Sequence, residues 1–158
     1  MSVSKMLEGF CADIELLLPE ERLRQAVRDA LALPEICSAL EDSAMRGLDD
    51  RYLAWCARWL HFPDGKGSVS IGARLLRVHR RFGVTVKRSL TALRLRRNAR
   101  DYEASRPAPS LWQPANPLEA FESALCLALT DAARRWYAEH GRTDRTVQAN
   151  LGKLLIAH

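Results

Sequence analysis

Between Gly65 and Arg100 the sequence contains no aspartate and no glutamate. Nor does it contain a run approaching the roughly 20 apolar residues that a membrane-crossing helix needs, which excludes a helical span. There is no Cys-x-x-Cys pair, and Cys11, Cys37, Cys56 and Cys126 stand far apart. That spacing excludes a compact zinc or redox motif and fits small buried thiols in a reducing compartment, with no disulfide framework. His61, His79, His140 and His158 form no paired ligand spacing, so neither metal nor cofactor is expected. No glycine-rich phosphate loop appears, and no nucleophile stands beside a base at motif spacing. Strand-like alternation and internal repeats are also missing, which removes β and solenoid architectures from consideration.

Positive charge is present in quantity. The formal net charge is +5 over 158 residues, yet the block from Gly65 to Arg100 alone holds eleven Lys or Arg. The rest of the chain carries thirteen basic against nineteen acidic groups, so the excess is confined to one segment. A folded segment of a single sign is the footprint of a polyanion-binding surface. With 47% hydrophobic and 27% charged residues, the chain as a whole has the composition of a soluble globular domain. Its opening residues, MSVSKMLEGFCADIELLLPEE, mix acids into the apolar stretch, so no secretory signal is expected and the expected location is cytoplasmic.

Apolar spacing predicts an all-α fold, a helical bundle of about seven to eight helices arranged as one body or as two small lobes sharing a core. Met6, Leu7, Phe10, Ile14, Leu17 and Leu18 give a first amphipathic stripe. Pro19 suits the first turn of a second helix with Leu23, Ala26, Val27, Ala30 and Leu31 inside. Pro34 and Glu35 repeat the start signal for a short third helix through Met45, stopped by Gly47. Asp49 or Asp50 caps a fourth helix carrying Leu53, Cys56, Trp59 and Leu60. Residues 61–67, HFPDGKG, read as a turn. Ser68 or Ser70 caps the next helix, with Ile71, Leu75, Val78 and Phe82 inward, and Gly83 ends it. Another starts near Thr85 and uses Val86, Leu90 and Leu93. The proline-rich stretch 105–117 divides an N-terminal lobe, 1–104, from a C-terminal hairpin, 118–158. Within the hairpin, Pro117 opens a long helix closed by Gly141, and Thr143 with Asp144 starts the last one. Trp112, in the proline-rich stretch, is expected at an interface.

On a helical wheel Arg74, Arg77 and Arg81 fall within about 60° of each other, flanking the apolar face. In the following helix the stripe runs from Val86, Leu90 and Leu93 into Arg97 and Arg100, which predicts that the helix leaves the protein body there. The candidate nucleic-acid-binding residues are therefore Arg74, Arg77, Arg80, Arg81, Lys87, Arg88, Arg94, Arg96, Arg97 and Arg100. Arginine outnumbers lysine nine to two in the block, which suits bidentate phosphate contact. Phe82 is its one aromatic residue, which disfavours a strand binder built on base stacking. Backbone contact without sequence readout is the expected mode. The plain alternative is that these arginines pair with acids such as Asp49 and Asp50.

From Tyr52 to Asn98 the sequence resembles the helical small subunit of Cascade-type CRISPR effector complexes. The likeness is carried by a helix ending Trp59-Leu60-His61, a glycine-containing turn, the run Ser70-Ile71-Gly72-Ala73-Arg74-Leu75-Leu76, and an Arg-rich helix with Leu90 and Leu93. The resemblance implies a non-catalytic, all-helical subunit of a ribonucleoprotein complex that contacts single-stranded guide or target backbones. Its implied partners are nucleic acid, the complex's backbone subunits and copies of itself, with no membrane. It places Arg74, Arg77 and Arg81 on the strand-facing helix, with Lys87, Arg88 and Arg94 beside them.

Two other classes compete. In WYAEHGRTDRTVQANLGK a helix-turn-helix regulator would read base edges with Arg142, Arg145, Gln148 and Asn150. An enzyme would draw on His61 with Asp64, or on Glu139 with His140, although neither pair has a positioned nucleophile or metal partner.

Overall fold

The computed structural model describes residues 4–19, 22–61, 68–95 and 116–156. Among these residues there are seven α-helices and no strand, so the all-α class is observed. The helices are α1 (Ser4–Leu17), α2 (Leu23–Leu40), α3 (Asp49–Trp59), α4 (Ser68–Arg81), α5 (Val86–Leu95), α6 (Pro117–Trp136) and α7 (Arg145–Ile156), with a π-helical turn at Tyr137–Gly141. None of them is long and apolar enough to cross a membrane.

The organising element is α2. It packs against all six other α-helices, most extensively against α6, and twelve of its eighteen residues are buried. The second helix expected from the sequence and the third as far as Leu40 form this one helix; residues 41–45, expected to continue the third, lie in the turn after it. Pro19 lies in the turn after α1, and Pro34 sits inside α2 instead of opening a new helix. Proline there removes the N–H that would bond to the Ala30 carbonyl, at a cost of about 3 kcal/mol. Against that loss, Ala26, Ala30, Leu33, Cys37 and Leu40 continue one stripe straight through the proline, each almost wholly buried. Breaking the helix at Pro34 would remove several of them from the core, and burial of one large apolar side chain alone contributes about 1.5–3 kcal/mol.

The chain leaves α2 through a turn organised by Asp42, whose carboxylate accepts from the Ala44 and Arg46 N–H groups at 3.3 and 2.9 Å. Gly47 does not stop a helix; it lets the start of α5 approach, because a Cβ there would lie 2.8 Å from Val86 Cβ. The N-cap position of α3 is Leu48, in extended backbone with no side-chain cap. Asp49 and Asp50 fall in the first turn instead, where they act on the positive end of the helix dipole. At α6 the expected start is observed: Pro117 occupies the first turn and Asn116 Oδ1 accepts from Glu119 N–H at 2.9 Å.

Buried side chains from α1 through α7 form one cluster that includes Phe10, Leu33, Trp55, Leu93, Leu129, Trp136 and Leu151. Cys11, Cys37, Cys56 and Cys126 are all free and buried within it, as expected of small buried thiols. Polar clasps close its edges. Arg134 of α6 meets Glu8 and Glu15 of α1 at 2.8 and 2.5 Å, and those two carboxylates hold its guanidinium even more firmly protonated than usual. Residues 105–115, with Trp112, lie outside the described residues, as do residues 62–67.

Candidate nucleic-acid interface

The orientation of α4 decides which basic side chains face outward. The sequence places Val78 on the inner face, but the structure leaves Val78 exposed and buries His79, at 2% exposure. Three contacts set this rotation. His79 Nε2 hydrogen-bonds to Glu35 of α2, and the His79 ring stacks on Tyr52 of α3 with centroids 5.5 Å apart. Tyr52 in turn donates its hydroxyl to the Leu31 carbonyl at 2.7 Å. On the same face, Gly72 lies so close to Cys56 that a Cβ would sit 3.1 Å from Cys56 Cβ. A histidine within a basic run reads locally as another surface cation; only a partner 44 residues away shows it to be internal.

With α4 fixed in this way, Arg74, Arg77 and Arg81 are exposed on one flank. Successive turns separate them, spanning about 10 Å along the helix axis from first to last. None of the three has a carboxylate within ion-pair distance among the described residues. Arg80, about 60° round the helix from Arg77, forms an ion pair with Asp49 at the start of α3. Pairing with the acids of neighbouring helices, the plain alternative for the basic block, therefore holds for Arg80 within α4. At the C-terminal end of the helix, Gly83 adopts φ +68 and turns the chain away.

Thr85 Oγ1 accepts from Arg88 N–H at 3.3 Å and so opens α5, where Lys87 and Arg88 are exposed. Ser89, Leu90 and Leu93 face inward. Arg94 is half-buried and already engaged in an interaction, unlike the outer arginines of α4. Arg96, Arg97 and Arg100 lie outside the described residues. The two basic helices do not form one slab: α4 packs on α3 and α2, whereas α5 packs on α2, α1 and α7.

One further cation belongs to this surface. Arg24 of α2 places its guanidinium carbon 5.4 Å from the Phe82 ring centroid, just past the end of α4. It stands far from the basic block in sequence and has no local signature there; tertiary packing alone brings it to this surface.

The segment with the spacing of a DNA-reading motif is used differently. Asn150 is 1% exposed and donates its amide to the Leu40 and Asp42 carbonyls at 2.8 and 2.7 Å, closing the C-terminal end of α2. Gln148 donates to the Gly141 carbonyl at 2.9 Å. Two of the four candidate base readers are thus engaged inside the protein, while Arg142 and Arg145 remain exposed. His140 lies 3.5 Å from both Glu41 and Asp144, and Trp136 Nε1 donates to the same Glu41 at 2.5 Å. These contacts tie the π-helical turn to the end of α2. His61 is exposed at the end of α3, and Asp64 lies outside the described residues. No group of three or more metal-ligating side chains occurs among the described residues.

Comparison of the chain with protein-family models, with curated proteins and with solved structures returned no match, so the geometry of α4 and its surroundings stands as the basis for a functional reading.

Proposed function

We propose that the protein is a non-catalytic subunit that binds the phosphate backbone of a nucleic-acid strand along the outer flank of α4. Arg74, Arg77 and Arg81 make the contacts, with Lys87 and Arg88 of α5 and Arg24 of α2 extending the positive field. The observation that supports this reading most lies on the outer face of α4: Arg74, Arg77 and Arg81 are exposed without carboxylate partners among the described residues, whereas Arg80 is paired with Asp49. A helix whose cations served only the fold would resemble Arg80 on every side. Phosphate contact of this kind positions a strand without reading its bases. The resemblance of Tyr52–Asn98 to the small subunits of CRISPR effector complexes gives the proposal its finer form, a guide- or target-strand contact within a ribonucleoprotein assembly.

The test is fluorescence anisotropy of labelled, mixed-sequence single-stranded RNA and DNA, titrated with wild type and with R77E/R81E. Affinity is expected to drop by at least about tenfold in the variant, with the helical circular-dichroism signal and melting temperature retained. Each phosphate that the variant no longer neutralises makes the slope of log K against log salt shallower by about 0.7. Equal affinity of the two proteins would overturn the proposal. The finer form is tested by pull-down from native cells, where short repeat-derived RNA together with a large backbone subunit is the expected recovery.

A further inference from the structure

Although α4 and α6 both lie on α2, each also packs on a different neighbour, α4 on α3 and α6 on α1. Between them runs a groove of about 420 Å³, floored by Val27 and Leu31 of α2. Val78 stands on the α4 wall, Leu118 and Phe121 on the α6 wall. All three are exposed, Val78 at 37%, Phe121 at 54% and Leu118 at 66%. Apart from Arg74 and Glu122, the lining side chains are apolar. Apolar side chains gathered around one concavity mark a contact site, unlike the single scattered ones that any surface carries.

We infer that this groove is the docking site of the chain's own residues 107–114, PAPSLWQP, with Leu111 and Trp112 as the side chains that enter it. The first argument is where the chain runs. Residues 96–115 lie outside the described residues, and Asn116 and Pro117 lead straight into the α6 wall, where Leu118 is the second helical residue. Between Glu103 and Asn116 the sole large apolar side chains are Leu111 and Trp112. Trp112 precedes Asn116 by four residues, a reach of about 14 Å in extended chain. Nine helical residues from Asn116 to Leu125 rise by about the same length, so the whole α6 wall is within reach.

The second argument is chemical. Pro107, Pro109 and Pro114 have no N–H, so the segment brings few unpaired backbone donors to a groove that offers few polar partners. Their fixed φ also lowers the entropy lost on docking, and proline-rich segments bind grooves lined with aromatic side chains, here Phe121. An indole together with one aliphatic side chain suits the volume, since a cavity of about 150 Å³ already holds benzene. A groove two helical turns long offers roughly a few hundred Å², below the ~800 Å² per partner of a stable contact with a separate protein. A tether of four residues removes that requirement, because it raises the occupant's effective concentration to the millimolar range.

The test uses the full chain without nucleic acid, at about 1 µM and again at about 100 µM, because a tethered contact does not depend on concentration. Fluorescence of Trp112, taken as the difference between wild type and Trp112→Phe, is expected to be blue-shifted and shielded from acrylamide. Leu118→Arg sets a charge on the groove wall at a solvent-facing position. It is expected to raise acrylamide quenching of Trp112 to that of a fully exposed indole, with the helical circular-dichroism signal retained. On the other wall, Val78→Cys reports cover directly. Its thiol should react with iodoacetamide more slowly than that of Ala73→Cys, an exposed position outside the groove. Adding Leu111→Ala and Trp112→Ala should bring Val78→Cys up to the Ala73→Cys rate and leave Ala73→Cys unchanged. An exposed Trp112 in wild type overturns the inference. So does shielding that survives Leu118→Arg or grows with protein concentration, or a Val78→Cys rate indifferent to residues 111 and 112. Strand binding is tested through Arg77 and Arg81, which these variants leave in place, so either reading can fail alone.

Discussion

Asn150 illustrates how far a residue's role can lie from its local appearance. In sequence it is a polar residue midway along the last helix; in the folded chain its amide supplies both donors for two carbonyls 110 and 108 residues earlier. Replacement by alanine leaves those buried acceptors unmatched, and Asn150→Ala is expected to destabilise the protein by about 2 kcal/mol in a denaturant titration. Loss of a mere surface side chain would change stability by less than about 0.5 kcal/mol. The cysteines are the opposite case, because a small residue on an apolar helix face is legible from spacing alone. Burial pushes the Cys11, Cys56 and Cys126 thiols up to about 12, and Cys37 is raised as well. All four thiols should resist iodoacetamide at pH 8 in the native protein and react at once after unfolding; a fast native reaction at any of them would contradict the packing. His79 and Arg24 were illegible for the same reason as Asn150, since their partners are set by the tertiary fold.

Most elements could be read directly. The stripes of α1 and α7 fall where apolar spacing puts them, because each follows a single period. In α6 the stripe is buried from Leu125 to Trp136 but leaves Leu118 and Phe121 exposed, and in α3 Tyr52 and Trp55 are buried while Leu53 is half-buried. Local signals failed where packing opposed them. Pro34 carries a start signal, yet Ala30, Leu33, Cys37 and Leu40 share one buried stripe, and the stripe prevails. In α4 the choice between Val78 and His79 as the inner residue turned on Glu35 and Tyr52, which no periodicity reveals. Gly83 was legible as a stop, and its φ of +68 gives the physical reason. An added Cβ there meets nothing within 4 Å, so only backbone strain opposes substitution. Gly83→Ala should therefore lower stability by about 1–2 kcal/mol, and Gly83→Asn by less, as asparagine tolerates this conformation better. Comparable losses for both would point to a packing role instead. The basic flank of α4 was legible through the wheel, whereas the engagement of Arg80 and Arg94 was not, since charge patterning in sequence does not specify ion-pair partners.

At the scale of the whole molecule, one core joins helices from both ends of the chain, and its stability has two pH limits. Unfolded thiols ionise around 9.0 while the folded ones hold their protons to about 12, so the unfolded state is favoured progressively as pH rises above 9. Asp42 supplies the acid limit. Backbone N–H bonds, that of Arg46 foremost, hold its carboxyl below the ordinary value of 3.8 against the opposing effect of burial. Its contribution is present above that value and is lost as pH falls through and below it. Melting temperature against pH should fall on the alkaline side from about pH 9, and substitution of Cys56 and Cys126 by alanine should flatten that fall, whatever the substitutions do to stability at neutral pH.

The central position of α2 also bears on how the chain is made. Its apolar face precedes in the chain the helix that packs on it most extensively, α6, which ends only at Trp136. A nascent chain therefore carries α2 with part of that face still open to solvent until α6 has been translated. Such a nascent chain is exposed to aggregation and is a natural client of chaperones. Completion of the core waits for α6, so a message truncated before its codons would yield a polypeptide with its central helix only partly covered, fit for degradation.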